Sequence, residues 1–455
     1  MYESYLNTID ERSEAVCALS DFLWEHPETS FKEVESSKAI EDFLEKEGFE
    51  VKRGLGVLPT AFTATYGSGS PHLGILAEYD ALSGLSQEAG IAEPKPIPGK
   101  STFHGCGHNL FAAGSVAAAL AVKKYLEKTG RGSITLFGCP AEEGGGGKVF
   151  LVRDGFFNEI DAVVSWHPES MYMVRTRPAL ANVKVLYRFS GTPSHAAVDP
   201  ELGRSALDAL ELMSVGVNYL REHMPATARI HYALLDTGGA SPNVVQSHAE
   251  VYYMIRAVDL AGVRDLRRRV DLIAQGAALM TETSVTSRVG GGYSNLITIP
   301  ALQKTANEAM HDLVFPLPTE EDLAFARALR ETMPLTEAQK KEAPYAEAVL
   351  DPAPPKAHGG STDTADVSWI CPTVQMHIGT WMRGTPGHSW QSTAQGKSPY
   401  AKKATLFAGK AVAGTLIRLF EEPERIAQAK AEHTEKTAGG YFCSLGPDDL
   451  PEAVI

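Results

Sequence analysis

The sequence predicts an α/β protein: a mixed, largely parallel sheet with a smaller α+β domain inserted into it. Three observations carry this. Between residues 60 and 170, strand-like segments alternate with helical ones, the order of a parallel sheet with helices on its faces. Several of those strands end in an acid or a histidine. Residues 182–294 then switch to a strand–helix–strand–strand–helix–strand order, the split arrangement of a ferredoxin-like domain.

A chain of 455 residues is long for one hydrophobic core, so two domains are expected. These are assigned to 1–181 with 295–455, and to 182–294. The net charge of −14, from 42 basic and 56 acidic residues, argues against nucleic acid as a partner, because phosphate binding needs a basic face. The acidic N-terminal stretch MYESYLNTIDERSEAV has neither the basic nor the apolar region of a signal peptide. The longest nearly apolar run, Phe111 to Val122, is too short to span a bilayer. Five scattered cysteines (Cys17, Cys106, Cys139, Cys371, Cys443) suggest no disulfide framework, so a cytoplasmic protein without membrane contact is expected.

Residues 5–47 read as a helix, a turn at HPETS and a second helix from Phe31 to Gly48, with apolar positions at helical spacing. Strands follow at TAFTATYG, HLGILAEYD, SITLFGCP and DAVVSWHP, with helices over 108–129 and 147–157 between the later ones. In the inserted domain, strands are expected at NVKVLYRFSG, ARIHYALLDTG, AEVYYMIRAV and TSVTSRVGG, and helices over 201–224 and 263–282. Helices at 301–313 and 319–332 resume the first domain. A Pro- and Ala-rich loop, the strand TVQMHIGTW and a helix from Ala401 to Phe420 complete it.

The strand ends carry the chemistry. In open α/β sheets functional groups gather outside the carboxyl ends of the strands. There this chain places Asp80, the pair Glu142–Glu143 and His167, with Cys106 and His108 in the HGCGHN segment and His388 in GTPGHSW. At a helix start, with the helix dipole and nearby cations, Cys106 is expected to favour its thiolate. Thiolate, imidazole and carboxylate together suit zinc or manganese, with cobalt or nickel as further choices. The candidates outnumber the needs of one ion, so two divalent ions sharing a bridge are expected. In the Glu142–Glu143 pair, one carboxylate can bind metal while the other moves the proton. His104, His358 and His377 read as ordinary surface residues, and a Cys–Gly–His triplet alone is weak evidence.

Taken together, EYDALSGLSQEAG, HGCGHN, GCPAEEGG, LGRSALDA, SPNVVQ and STDTADVSW resemble peptidase family M-20, the aminoacylase/carboxypeptidase type, in its amidohydrolase subfamily D. The likeness covers essentially the whole chain. It implies a zinc-peptidase-like catalytic domain with a lid domain that also dimerises. It further implies a bridging Cys106, with His108, Glu143, His167 and His388 as ligands, Glu142 as general base and Asp80 orienting a ligand. His195, in SGTPSHAA, matches a histidine that reaches into the site of a neighbouring copy. Asn243 and Arg256 match positions that grip the substrate carboxylate, although Arg256 at a strand end equally fits pairing with a surface acid. Many subfamily members have Asp after the Cys–Gly–His segment, where this chain has Asn109.

The function expected is that of a dinuclear metal-dependent amidohydrolase cleaving an N-acyl or N-aroyl amino acid of the p-aminobenzoyl-glutamate kind. A dipeptidase of the β-alanyl-lysine type is the nearest rival. Cysteine-nucleophile chemistry at Cys106 and a non-catalytic chain working with a homologous partner are the other classes. Chelation separates metal from thiol chemistry, and assay of the chain alone tests the last.

Overall fold

The strand His72–Glu78 lies near the middle of an eight-stranded sheet and is buried along nearly its whole length. The computed structural model describes residues 2–176, 178–352 and 360–451. The sheet order is Glu50–Leu55, Leu58–Ser68, Gly132–Cys139, His72–Glu78, Ala162–Glu169, Thr373–Gly379, Tyr172–Val174 and Val349–Leu350. The four central strands, from Gly132–Cys139 to Thr373–Gly379, run parallel. The Leu58–Ser68 and Tyr172–Val174 strands flank them antiparallel. A parallel sheet has to be covered on both faces, and here the strands read as continuous apolar runs.

The helix His108–Thr129 packs on this sheet and is enclosed by the helix Pro399–Glu421, so most of its residues are buried. That explains its Ala-rich composition: small side chains let two helices and a sheet approach closely. Gly114 shows how closely, since a Cβ there would lie 2.5 Å from the ring of Trp166, the neighbour of His167. No helix among the described residues is long and apolar enough to cross a membrane.

Residues 181–293 build a separate core under a four-stranded antiparallel sheet in the order Arg229–Asp236, His248–Ala257, Ala181–Ser190, Ser284–Tyr293. Helices Ala206–Leu220 and Leu260–Met280 cover one face. This is the ferredoxin-like order that the sequence predicts. The other face turns toward the first domain, where Lys184 Nζ donates to the Gly144 carbonyl at 3.1 Å.

The N-terminal region departs from expectation. It forms helices Glu3–Glu11 and Ser13–Glu25, and the next helix starts at Val34, not Phe31. Phe31 is instead in the left-handed region, φ 63°, with its amide donating to Glu33 Oε1 at 2.8 Å. The expected 147–157 helix ends at Arg153. The strands Glu50–Leu55, Tyr172–Val174 and Val349–Leu350 and the helix Pro423–Lys436 are additions to the expected elements. His358, read as a surface residue, lies outside the described residues.

Gly114→Ala tests the close packing. Helix propensity alone would gain about 1 kcal/mol, but overpacking against Trp166 costs about 1–3 kcal/mol. A lowered urea midpoint is the expected outcome; an unchanged or raised one would show that Trp166 yields freely.

Candidate metal centre

The carboxylate of Asp80, two residues past the end of its strand, ties the site together. Its Oδ1 accepts from His108 Nδ1 at 2.9 Å, and its Oδ2 from the Glu143 amide at 2.9 Å. Ser30 Oγ adds a longer bond of 3.4 Å. Burial raises the Asp80 pKa, but the His108 ring, the Glu143 amide and Lys148 bring it below its ordinary value. One ionised carboxylate thus fixes both the HGCGH loop and the Glu–Glu turn.

His108 opens the helix His108–Thr129 behind Gly107. Gly107 has φ 76°, and a Cβ there would meet Pro168 and Trp381 at 3.0–3.2 Å, so only glycine fits. Because His108 Nδ1 is held by the Asp80 carboxylate, Nε2 is the atom left for an ion. His167 repeats the device: Nδ1 donates to the Pro168 carbonyl at 2.8 Å, leaving Nε2 3.5 Å from Cys106 Sγ. His388, on the loop before helix Trp390–Gln395, has φ 56° and places Nε2 3.2 Å from Glu143 Oε1.

These atoms fall into two sets that share Cys106: Cys106, His108 and His167, and Cys106, Glu143 and His388. Within each set the ligand atoms lie within 4.8 Å of one another. The fit to ions rests on atoms left without a hydrogen bond. His108 Nε2 and Glu143 Oε1 are buried and have no such partner among the described residues. The donor set, one sulfur with imidazoles and a carboxylate, suits zinc or a similar divalent ion.

In the chain by itself, burial dominates the electrostatics of Cys106. Burial, then Glu143, pushes its thiol well above the ordinary value, and only His108 works strongly the other way. The helix start alone does not offset this burial, so the thiolate depends on the nearby cations that the sequence reading also invokes. Burial opposes a charge on His108, yet Cys106 and Asp80 raise its pKa well above normal. Glu142 is pushed up by burial and by the carboxylates of Glu78, Asp363 and Glu143.

Several members of the site escape a reading of the sequence. Lys148, fully buried, donates to Glu78 Oε1 at 2.7 Å and Asp363 Oδ1 at 2.6 Å. Glu33 accepts from the Phe31 and Ala141 amides at 2.8 and 3.0 Å and from Thr60. It thereby holds Ala141 in a left-handed conformation, φ 59°, just before Glu142. The available signals are a lysine in the otherwise apolar GKVFLV helix and an acid ending an apolar strand. His104 is not a surface residue: it is buried, with Nε2 donating to the Leu23 carbonyl at 3.0 Å. His377 sits half-buried within the strand Thr373–Gly379. Asn109 points to Ser20 and to the Gly396 carbonyl.

The inserted domain places its residues elsewhere. His195 and Asn243 are exposed neighbours, joined by the Ala196 amide donating to the Asn243 carbonyl at 2.9 Å. His195 Nδ1 accepts from the Ala197 and Val198 amides, so its Nε2 carries the proton and faces outward. No described contact joins either residue to the ligand cluster. Among the described residues Arg256 meets no surface acid; its Nη1 donates to Ser361 Oγ at 3.0 Å.

Fold and site together define a metal-dependent hydrolase of amide bonds. The chain belongs to peptidase family M20/M25/M40, whose model matches residues 74–419. It is 40% identical to one of the p-aminobenzoyl-glutamate hydrolase subunits of Escherichia coli, over 95% of both chains. It is 29% identical to the human Xaa-Arg dipeptidase, over 91% of this chain and 88% of that one. In fold it is similar to an aminobenzoyl-glutamate utilization protein from Klebsiella pneumoniae and to a dinuclear metal-binding peptidase of the M20 family from Bacillus subtilis. Each has a TM-score of 0.58 and 18% identity, over 89% of this chain and 98% of that one.

Burial pushes the His104 pKa down to about 3. The unfolded chain, with an ordinary histidine near 6.5, takes up that proton first. Stability from this group is therefore complete above pH ~6.5 and is lost as pH falls toward 3, at about 1.4 kcal/mol per pH unit. In urea titrations of the metal-free chain from about pH 7 to pH 5, the slope of wild type should exceed that of His104→Gln by this amount. An unchanged slope in the variant would refute the assignment.

Proposed function

We propose that this chain is a dinuclear amidohydrolase that cleaves an N-aroyl or N-acyl glutamate of the p-aminobenzoyl-glutamate kind. The observation that carries the reading is the pair of ligand sets sharing Cys106, with Glu142 at its edge. The 40% identity over nearly the whole length of a p-aminobenzoyl-glutamate hydrolase chain supports the substrate class. Zinc or manganese is the proposed metal.

Cys106, His108 and His167 would hold one ion, and Cys106, Glu143 and His388 the other. Such a pair polarises the scissile carbonyl and lowers the pKa of water near it. Glu142 takes the proton from the attacking water and delivers it to the leaving amine. Asp80 keeps His108 and the Glu143 backbone in register. The outward Nε2–H of His195 suits a donor to the carbonyl oxygen as it gains charge, and Asn243 and Arg256 are assigned to the substrate carboxylate.

Since no described contact joins His195 to its own ligand cluster, we assign it to the site of a second copy. The inserted domain supports this: its edge strand Arg229–Asp236 exposes Tyr232, Leu234 and Leu235, and Val198 and Val244 are exposed nearby. An open sheet edge with apolar side chains is a pairing surface. A homologous partner chain is the alternative occupant, because the Escherichia coli relative is named as one subunit of its enzyme. A cytoplasmic location fits the five free cysteines. Dipeptide hydrolysis is the second reading, favoured by the likeness to Xaa-Arg dipeptidases.

Glu142→Ala should lower kcat on N-aroyl glutamates by about 10²–10⁴-fold while the protein still binds two ions by elemental analysis. Turnover near the parent rate with metal bound would sink the proton-transfer role. Mixing inactive Glu142→Ala with inactive His195→Ala chains should restore activity, because a mixed dimer rebuilds one complete site. If no mixture regains activity although mixed dimers form, His195 does not serve the neighbouring site.

A further inference from the structure

Glu78 is the acid that ends the central strand, and it is 1% exposed. Its two oxygens have different surroundings. Oε1 accepts from Lys148 Nζ at 2.7 Å, and Lys148 is in turn fixed by Asp363, which also accepts the Lys148 amide at 2.9 Å. Oε2 has no hydrogen bond among the described residues and lies 3.2 Å from His108 Nε2, which also has none. With His108 protonated the two can pair as ions, but with Nε2 free of its proton they face each other as two buried ligand atoms with no hydrogen between them.

The separation has a simple meaning. Ligands about 2.0–2.2 Å from a tetrahedral ion lie about 3.3–3.5 Å apart. The Cys106–His167 pair, at 3.5 Å, has this spacing, and the His388–Glu143 pair, at 3.2 Å, falls just short of it. Glu78 Oε2 and His108 Nε2, at 3.2 Å, are as close, and Glu78, His108 and Glu142 form a third group of ligand atoms within 4.8 Å of one another, joined to the Cys106–His108–His167 set through His108. Glu142 is the less suited of the two acids to bind an ion, having no lysine to fix it. Glu78 is locked by a buried cation that cannot rotate away, as ligands oriented by outer hydrogen bonds are.

We infer that Glu78 is a fourth protein ligand of the ion held by Cys106, His108 and His167, with Lys148 and Asp363 as positioning residues. This rests on the dinuclear reading proposed above. It makes the two ions unequal. One has four protein ligands and binds tightly; the other has only Cys106, Glu143 and His388 and keeps an open position for water or substrate, as catalytic sites do. The chain should therefore fill in two steps of different affinity.

Metal-free chain titrated with zinc, and separately with manganese, tests this by calorimetry. Wild type should show two steps. Glu78→Gln, which still accepts from Lys148, should weaken the tight step by more than about 100-fold, beyond the 10–100-fold typical of an orienting residue. It should leave the weak step within about threefold. A loss of about 100-fold or less in the tight step overturns ligation by Glu78. An anomalous-diffraction structure of the zinc-loaded wild type needs no variant: a Glu78 oxygen about 2.0–2.2 Å from zinc supports the inference, and one beyond about 3 Å overturns it. Wild type that binds two ions with Glu78 uninvolved leaves the dinuclear reading standing, whereas wild type that binds none removes both.

Discussion

The Asp80 carboxylate is the constraint on which the site depends. It lies where three segments far apart in sequence meet: the 27–33 loop through Ser30, the HGCGH loop through His108, and the Glu–Glu turn through the Glu143 amide. A charge-assisted hydrogen bond is about twice as strong as a neutral one, and full burial protects it from competing water. Fixing His108 Nδ1 decides which ring nitrogen is left for an ion. Fixing the Glu143 amide decides where its side chain leaves the turn. The parallel sheet makes the arrangement possible, since the adjacent strands Gly132–Cys139 and His72–Glu78 end side by side.

Charge explains why so many acids tolerate one another. Glu78, Asp80, Glu142, Glu143 and Asp363 crowd round Cys106, and Lys148 and Arg175 are buried cations close to them. Two divalent ions would offset the excess of acids. Without such compensation, burial raises the pKa of Glu142 and Cys106 and favours a proton on each. Buried carboxylates in this number are costly by themselves, so the cluster is better understood as a charged socket than as a stabilising network.

The parts of the site legible in sequence are those whose ligands come in short local motifs. HGCGH and AEE put two donors within one turn of backbone, and the strand ends are marked by abrupt polarity after apolar runs. Glu78 escapes because an acid ending a strand reads as the start of the loop. Its meaning comes from Lys148 and Asp363, which are distant in sequence and adjacent only in the fold. His104 reads as a surface residue for a similar reason, since only tertiary packing puts it against Leu23. Phe31 fits a helical periodicity, but Glu33 captures its amide and that of Ala141, and two left-handed residues are held by one carboxylate. The helix Pro423–Lys436 is hidden because Pro423 reads as the end of the preceding helix, although proline also favours a first turn.

The two domains are coupled through backbone at the catalytic turn. Lys184 of the inserted sheet donates to the Gly144 carbonyl, and Tyr293, the last residue of that sheet, donates to the Glu142 carbonyl at 3.1 Å. The chain then re-enters the first domain at Ser294, whose amide and hydroxyl both donate to buried Asp366. A rotation of the inserted domain would therefore pull on the turn that presents Glu142 and Glu143. Any such rotation would thus be felt at Glu142, the proposed proton-transfer group. The outward Nε2–H of His195, set by two amides of its own loop, travels with the same rigid sheet.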